Sequence, residues 1–183
     1  MEYRTPVLYH ASATVLAPLD RLQEWVLRDL GLSEEEALEH FSLAPLSVRR
    51  DIAMLGVVFR AVLQKGPPQL RSFFRRAEQR RETRSSEWHG FQLQTYRDGE
   101  HLEVQRRSVL GLVEVFNLLP PAIVQSAKTV QSFQAQLQEL VLTAVKEGVQ
   151  DWKLLLAADR TSWERRELRQ LRGWESNWRP VLR

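Results

Sequence analysis

The chain has 183 residues, 43% of them hydrophobic, which is enough to bury one core and excludes a largely disordered protein. It contains no cysteine, which excludes disulfides and thiolate metal sites and leaves the redox compartment open. No apolar run approaches the roughly 18 residues of a membrane span, and Glu2, Arg4 and His10 interrupt any signal-peptide core. We therefore expect an intracellular protein of unknown compartment, with no membrane partner.

The net charge is only +3, but lysine occurs at just four positions and every other basic residue is arginine. Arginine is the better group for bidentate contacts with phosphate. The same bias also arises from GC-rich coding sequence. Composition alone therefore gives a modest indication of nucleic-acid binding.

Two helices are predicted in the N-terminal part, after a short helical pattern at residues 5–15. The first opens at Pro18 and ends at Gly31. Its apolar face is formed by Leu19, Leu22, Trp25, Val26 and Leu30. Ser33 and Glu36 then form a capping box for a short helix. We expect that helix to bury Ala37, Leu38 and Phe41.

The most apolar helix-length stretch of the chain is residues 43–65. Pro45 and Ser47 suit the start of a helix, and Gly66 with the two prolines after it suits the end. One helical stripe runs along it, formed by Val48, Ile52, Leu55, Phe59 and Val62. Ala53, Gly56 and Ala61 leave low places where another helix can approach. We expect this helix to be the central post of a bundle.

Residues 69–84 combine Phe73 and Phe74, expected to be core anchors, with a run of arginines. Residues 77–107 are the most polar and least periodic part of the chain. They predict a long loop, with a weak hairpin signal at Asp98 and Gly99.

The remaining chain predicts three more helices. Ser108 caps the first, which Pro120 and Pro121 break, and the second follows from Val130 to Gly148. A basic amphipathic helix is expected over 162–172. The fold class is all-α, an irregular helical bundle with domains at 1–149 and 150–183. The expected core comprises Leu22, Val26, Val48, Ile52, Leu55, Phe59, Val62, Leu112, Phe116, Phe133, Leu137 and Leu140.

Residues for catalysis are nearly absent from the sequence. The aspartates are dispersed, and the four histidines have no metal-ligand spacing on one helix face. There is no glycine-rich phosphate loop and no nucleophile elbow. The stretch from Tyr96 to Gly99 lacks the second carboxylate of a polymerase Tyr-x-Asp-Asp motif, so a polar turn is the better interpretation. We expect no enzyme activity, no catalytic residue, no metal, no cofactor and no small-molecule substrate.

Two groups of arginines are candidates for phosphate contacts. Arg49 and Arg50 lie at the start of the central helix, where they bind phosphate or pair with Glu35 or Glu39 of the preceding helix. The second group follows the central helix, and its alternative is a solvated helix flank. It consists of Arg75, Arg76, Arg80 and Arg81.

Several stretches together resemble one family. They are Glu2–Ala11, Leu19–Gln23 with Leu27–Gly31, Leu43–Leu46, and Arg49–Gly56. This series is similar to the segment after the catalytic palm in reverse transcriptases of non-LTR retrotransposons. There an aromatic-rich helix precedes a leucine-aspartate-x-x-glutamine helix and a leucine-proline-leucine, double-arginine helix. Asn117–Pro120 and Phe133–Gln138 look like the far end of such reading frames, so the resemblance covers roughly residues 2–147.

The resemblance implies that residues 1–149 are a thumb and connector, which hold a primer–template duplex by its backbone and carry no catalytic carboxylates. We therefore expect a non-catalytic fragment with weak nucleic-acid binding, whose partner is an RNA or DNA duplex held through its phosphates. The alternative is a helical protein–protein interaction module with a protein partner, which dimerises through the face of 130–145.

Overall fold

The computed structural model describes residues 9–77, 89–95 and 108–158. Within these ranges the chain is all-α, as expected, and its only β-type contact is an isolated antiparallel bridge between Arg76 and Leu93. The helices are α1 (Ala13–Asp29), α2 (Glu34–Phe41), α3 (Leu46–Val62), α4 (Pro68–Phe73), α5 (Gly111–Leu118), α6 (Pro121–Ser126), α7 (Val130–Lys146) and a short 3-10 helix (Trp152–Leu154). The hairpin expected at Asp98 and Gly99 and the helix expected over 162–172 lie outside the described residues.

Helix α3 is the central post, because α1, α4, α5, α7 and the 3-10 helix all pack on it. Its five-residue stripe is buried throughout. The details of its ends differ from the sequence prediction. Pro45 rather than Ser47 is the N-cap, with its carbonyl accepting from the Arg49 amide at 3.0 Å. At the other end Gln64, and not Gly66, takes the left-handed conformation, with φ of +61°.

Helices α3 and α7 approach each other closely at Gly56. A Cβ at this position would lie 2.5 Å from the side-chain nitrogen of Gln134 and 3.2 Å from a methyl of Val130. One turn further on, the rings of Phe59 and Phe133 stack with centroids 4.2 Å apart and planes 14° apart. The close approach at Gly56 and this aromatic pair therefore lie next to each other in the same helix crossing.

Capping boxes begin two of the helices. The Ser33 hydroxyl accepts from the Glu36 amide at 3.1 Å and Glu36 accepts from the Ser33 amide at 2.8 Å, which confirms the predicted start of α2. Thr129 and Ser132 make the corresponding pair at α7. Helix α7 then ends at Lys146, and Gly148 follows with φ of +72°.

The inner face of α7 belongs to the core. Its buried residues are Phe133, Leu137, Leu140, Val141 and Ala144. These side chains already pack against α3, α2 and α6, while Gln131, Ala135 and Gln138 on the outer face are exposed. Dimerisation through 130–145 stays a prediction, and only the outer face is open to it. The predicted burial of Phe133, Leu137 and Leu140 is confirmed.

The orientation predicted for α1 is wrong. The helix begins at Ala13 rather than Pro18, which lies inside it, and Leu22 and Val26 are half exposed rather than buried. Leu27 is the buried residue of this helix, so the apolar stripe is turned away from the core. In α2, Ala37 and Leu38 are buried as predicted, but Phe41 is exposed.

The C-terminal part of the described chain adds to the same core. The Ser108 hydroxyl accepts from the Leu110 amide at 3.1 Å, and α5 begins at Gly111. Helix α5 ends at Leu118, before the two prolines, and Pro121 is the first residue of α6. Trp152, Leu155 and Leu156 are buried, so the core continues past the domain boundary expected at residue 149.

Residues 74–77 and 89–95 run beside each other as a short extended pair. The Gln94 amide donates to the Arg75 carbonyl at 2.8 Å, and the Ala77 amide donates to the Gln92 carbonyl at 2.9 Å. Phe74 is buried here as predicted, whereas Phe73 is exposed. Among the described helices, none has both the length and the apolar character that crossing a bilayer requires.

Replacing Phe59 by Ala should lower the free energy of unfolding by about 3–5 kcal/mol, because it empties the stacked site against Phe133. Urea denaturation followed by far-UV circular dichroism measures this. Phe41→Ala is the matched control, since Phe41 is 65% exposed and its loss should change stability by less than about 0.5 kcal/mol. Equal losses in both variants would contradict the central role of α3.

Candidate functional site

The side chain of Gln23 joins α1 to the loop that precedes α3. Its amide nitrogen donates to the Ala44 carbonyl at 3.1 Å, and its amide oxygen accepts from the Leu46 amide at 2.8 Å. The Leu46 amide is one of the free donors at the start of a helix. Gln23 therefore supplies from another helix the cap that Pro45 and Ser47 do not provide.

Asp20 and Arg50 form a second link, three residues before Gln23 on α1. The two terminal nitrogens of Arg50 donate to the two carboxylate oxygens of Asp20 at 2.8 and 2.9 Å. The Arg50 side chain is 14% exposed and that of Asp20 is 34% exposed. A bidentate, partly desolvated pair of this kind fixes the angle between two helices as well as stabilising them.

Tyr9 and Asp51 form the third link, on the same side of α3. The Tyr9 hydroxyl donates to Asp51 Oδ1 at 3.0 Å, and Asp51 is buried. Burial, together with the Asp51 carboxylate, raises the pKa of Tyr9 far above its usual range, so the phenol keeps the proton that it donates. We call Tyr9, Asp20, Gln23, Arg50 and Asp51 the α1–α3 clamp.

The clamp changes the interpretation of the first arginine group. The sequence alternatives for this group are phosphate binding or pairing with Glu35 or Glu39, and in the structure the partner of Arg50 is instead Asp20. Glu35 instead accepts from the Trp152 indole at 3.1 Å. Arg49 lies half-buried next to Arg50. Arg50 thus belongs to the packed junction of α1 and α3.

The second arginine group has a different environment. Arg75 and Arg76 are exposed on the extended segment after α4, and the Arg76 guanidinium lies 5.2 Å from the centroid of the Phe91 ring. Arg80 and Arg81 lie outside the described residues. Arg50 therefore belongs to the clamp, whereas Arg75 and Arg76 belong to the extended pair.

Sequence reasoning missed the residues that hold 89–95 in place. Asn117 pairs with the backbone of Leu93, accepting from its amide at 2.8 Å and donating to its carbonyl at 2.7 Å. His89 is buried and lies 2.9 Å from the Phe116 carbonyl. Burial lowers the pKa of His89. A single histidine or asparagine in a stretch without periodicity gives no signal of such a role.

The described residues also contain no group of three histidine, aspartate or glutamate side chains able to hold a metal ion. No family model, no curated protein and no solved structure matches the chain. The resemblance to reverse transcriptases of non-LTR retrotransposons therefore rests on the residues that carry it, three stretches of which meet in the α1–α3 clamp.

A double-mutant cycle with Asp20→Asn and Arg50→Gln should give a coupling energy of roughly 1–2 kcal/mol, because the pair is bidentate and partly desolvated. Thermal or urea unfolding of the four proteins measures it. The matched control is Glu24→Gln with Arg28→Gln, an exposed pair four residues apart on α1 whose coupling should stay below about 0.5 kcal/mol. A coupling no larger than that of the control would show that the clamp does not hold α1.

Proposed function

We propose that the chain is a non-catalytic helical module similar to the thumb and connector of a non-LTR retrotransposon reverse transcriptase. The observation that supports this is the α1–α3 clamp. Leu19–Gln23, Leu43–Leu46 and Arg49–Gly56 are separate stretches of the sequence, yet their polar side chains bond to one another or to one another's backbone. The residues of the resemblance thus act together in one folded unit.

In this proposal the leucine-aspartate-x-x-glutamine and double-arginine motifs are structural. Asp20 and Gln23 set the position of α1 on α3, and Arg50 is the partner of Asp20. The proposal assigns the chain no reaction and no cofactor, in keeping with its dispersed carboxylates and histidines. The activity that remains for such a module is binding.

Weak binding to the backbone of a nucleic-acid duplex is the binding function we propose. Its contacts come from the second arginine group, Arg75, Arg76, Arg80 and Arg81, rather than from Arg49 and Arg50. Arg75 and Arg76 are exposed, and the Arg76 guanidinium lies over the Phe91 ring, a contact that favours a fixed position of this charge. Contacts of this type bind phosphates and do not discriminate between base sequences.

Fluorescence anisotropy with a labelled RNA–DNA hybrid tests this proposal. We expect an affinity of roughly 10⁻⁴ to 10⁻⁶ M at physiological salt, tighter at low salt and equal for unrelated sequences. Arg75→Gln with Arg76→Gln should weaken binding and flatten the salt dependence, and adding Arg80→Gln and Arg81→Gln should extend both effects.

The matched control for charge is Arg21→Gln with Arg28→Gln, which also removes two positive charges, but from the exposed side of α1. It should leave both the affinity and the salt dependence close to those of the unaltered chain. Equal weakening by the two pairs would indicate a general charge effect, and no binding at low salt would remove this function.

A second candidate function is protein binding, and a specific observation favours it. Helix α1 and its C-cap expose an apolar stripe, in which Val15 lies two turns before Leu22 and is followed on the same side by Trp25, Val26 and Leu30. Exposed apolar stripes on helices are typical of protein–protein contacts. This surface is separate from helix α7, the helix through which the sequence predicts dimerisation.

Leu22→Gln with Val26→Gln tests the stripe. Because both side chains are half exposed, the pair should change the free energy of unfolding by less than about 0.5 kcal/mol for each substitution. Sedimentation velocity across a range of protein concentrations should show less self-association than in the unaltered chain. A large loss of stability, or unchanged association, would show that α1 does not use this stripe for contacts.

A further inference from the structure

His89 joins residues 89–95 to α5 through both of its ring nitrogens. The Phe91 amide donates to Nδ1 at 3.2 Å, so Nδ1 carries no hydrogen. Nε2 lies 2.9 Å from the Phe116 carbonyl, which can only accept, so Nε2 carries the hydrogen and donates it. The geometry therefore requires the neutral ring, in one tautomer.

The surroundings of the ring are apolar and closely packed. His89 is 1% exposed, and its ring meets that of Phe116 edge to face with centroids 5.1 Å apart. Phe116 in turn lies 6.2 Å from Phe133, the partner of Phe59. His89 therefore ends a series of aromatic rings that begins at the centre of the core.

The charged residues on the elements around His89 are all at the surface. Glu114 on α5 is exposed, as are Arg75 and Arg76 on the extended segment and Glu139 and Lys146 on α7. Within the described residues, burial and the hydrogen bond to Phe116 are the influences that act on the proton equilibrium of this ring. No carboxylate among them compensates a positive charge at His89.

A second proton on His89 would break the contact that holds the segment. The proton binds at Nδ1, where it meets the N–H of Phe91, so two donors face each other and a hydrogen bond is lost. The charged ring also has to leave an apolar site or lose its hydration there. Proton uptake and the docked position of residues 89–95 thus exclude each other.

We propose that His89 is an acid-sensitive latch, whose protonation releases residues 89–95 from α5 while the helical core stays folded. Asn117 then still holds the segment to α5, through its two side-chain bonds to Leu93 and through its backbone carbonyl, which accepts from the Gln92 side chain at 2.9 Å. Because docked His89 is neutral, the stability of docking does not change with pH well above pH 6.5, the ordinary pKa of histidine. Docking weakens as the pH falls below that value, by about tenfold per pH unit.

Amide hydrogen exchange at about pH 7.5 and about pH 5, corrected for intrinsic rates, tests the latch and needs no nucleic acid. The amides of Phe91, Leu93 and Gln94 should lose protection by at least about tenfold at the lower pH. The amides of α3 and α7 should keep theirs. His40→Gln, which changes an exposed histidine, should behave as the unaltered chain does.

His89→Gln is the decisive variant, because a glutamine amide can accept from Phe91 and donate to Phe116 without titrating. It should keep residues 89–95 protected at both pH values. Loss of protection at low pH in His89→Gln, or no loss in the unaltered chain, would overturn the proposal. If residues 89–95 of the His89→Gln variant do not dock even at about pH 7.5, the test is the titration of the His89 ring in the unaltered chain, followed by NMR. Its midpoint must coincide with the loss of protection in the unaltered chain, and a different midpoint would equally overturn the latch.

Discussion

The close crossing of α3 and α7 at Gly56 is the constraint on which the rest of the structure depends. Glycine suits the close approach of the two helices here, because a Cβ would make the flexible end of Gln134 and a methyl of Val130 shift. At that distance Phe59 stacks on Phe133, and Phe116 and His89 extend the series of rings outward. Helix α5, which carries Phe116, and the segment 89–95, which carries His89, therefore both contact the ring series that starts at this crossing. The core is thus built outward from one contact between two long helices.

Polar contacts, rather than apolar ones, set the position of α1. Along this helix Leu27 is buried, while Asp20 and Gln23 face α3 and the loop before it. Each of these bonds satisfies a group that is costly to leave unpaired, a helix-start amide in one case and a partly desolvated guanidinium in the other. The helix therefore turns its polar side inward, and its apolar stripe remains exposed.

This explains which parts of the fold the sequence could predict. The stripe of α3 and the capping box at Ser33 depend on residues within a few positions of each other, and local spacing identified both. The orientation of α1 depends on pairs such as Asp20 with Arg50, which lie 30 residues apart. Periodicity locates an apolar stripe but does not show whether long-range polar partners take the other side. The same reason hid His89 and Asn117, whose partners are backbone groups more than 20 residues away.

The two arginine groups show how a partner changes the role of one residue type. Arg50 has a carboxylate in bidentate contact, so any phosphate would have to displace Asp20 before binding. Arg75 and Arg76 carry no such cost, since they are exposed on the extended pair. Arg76 stacks on Phe91, and the Phe91 amide is the donor to His89. The proposed phosphate contacts and the proposed latch therefore meet at Phe91. Protonation of His89 would free this ring from α5 and remove the support that orients Arg76, so the binding we propose for Arg76 would weaken in acid together with the docking of residues 89–95.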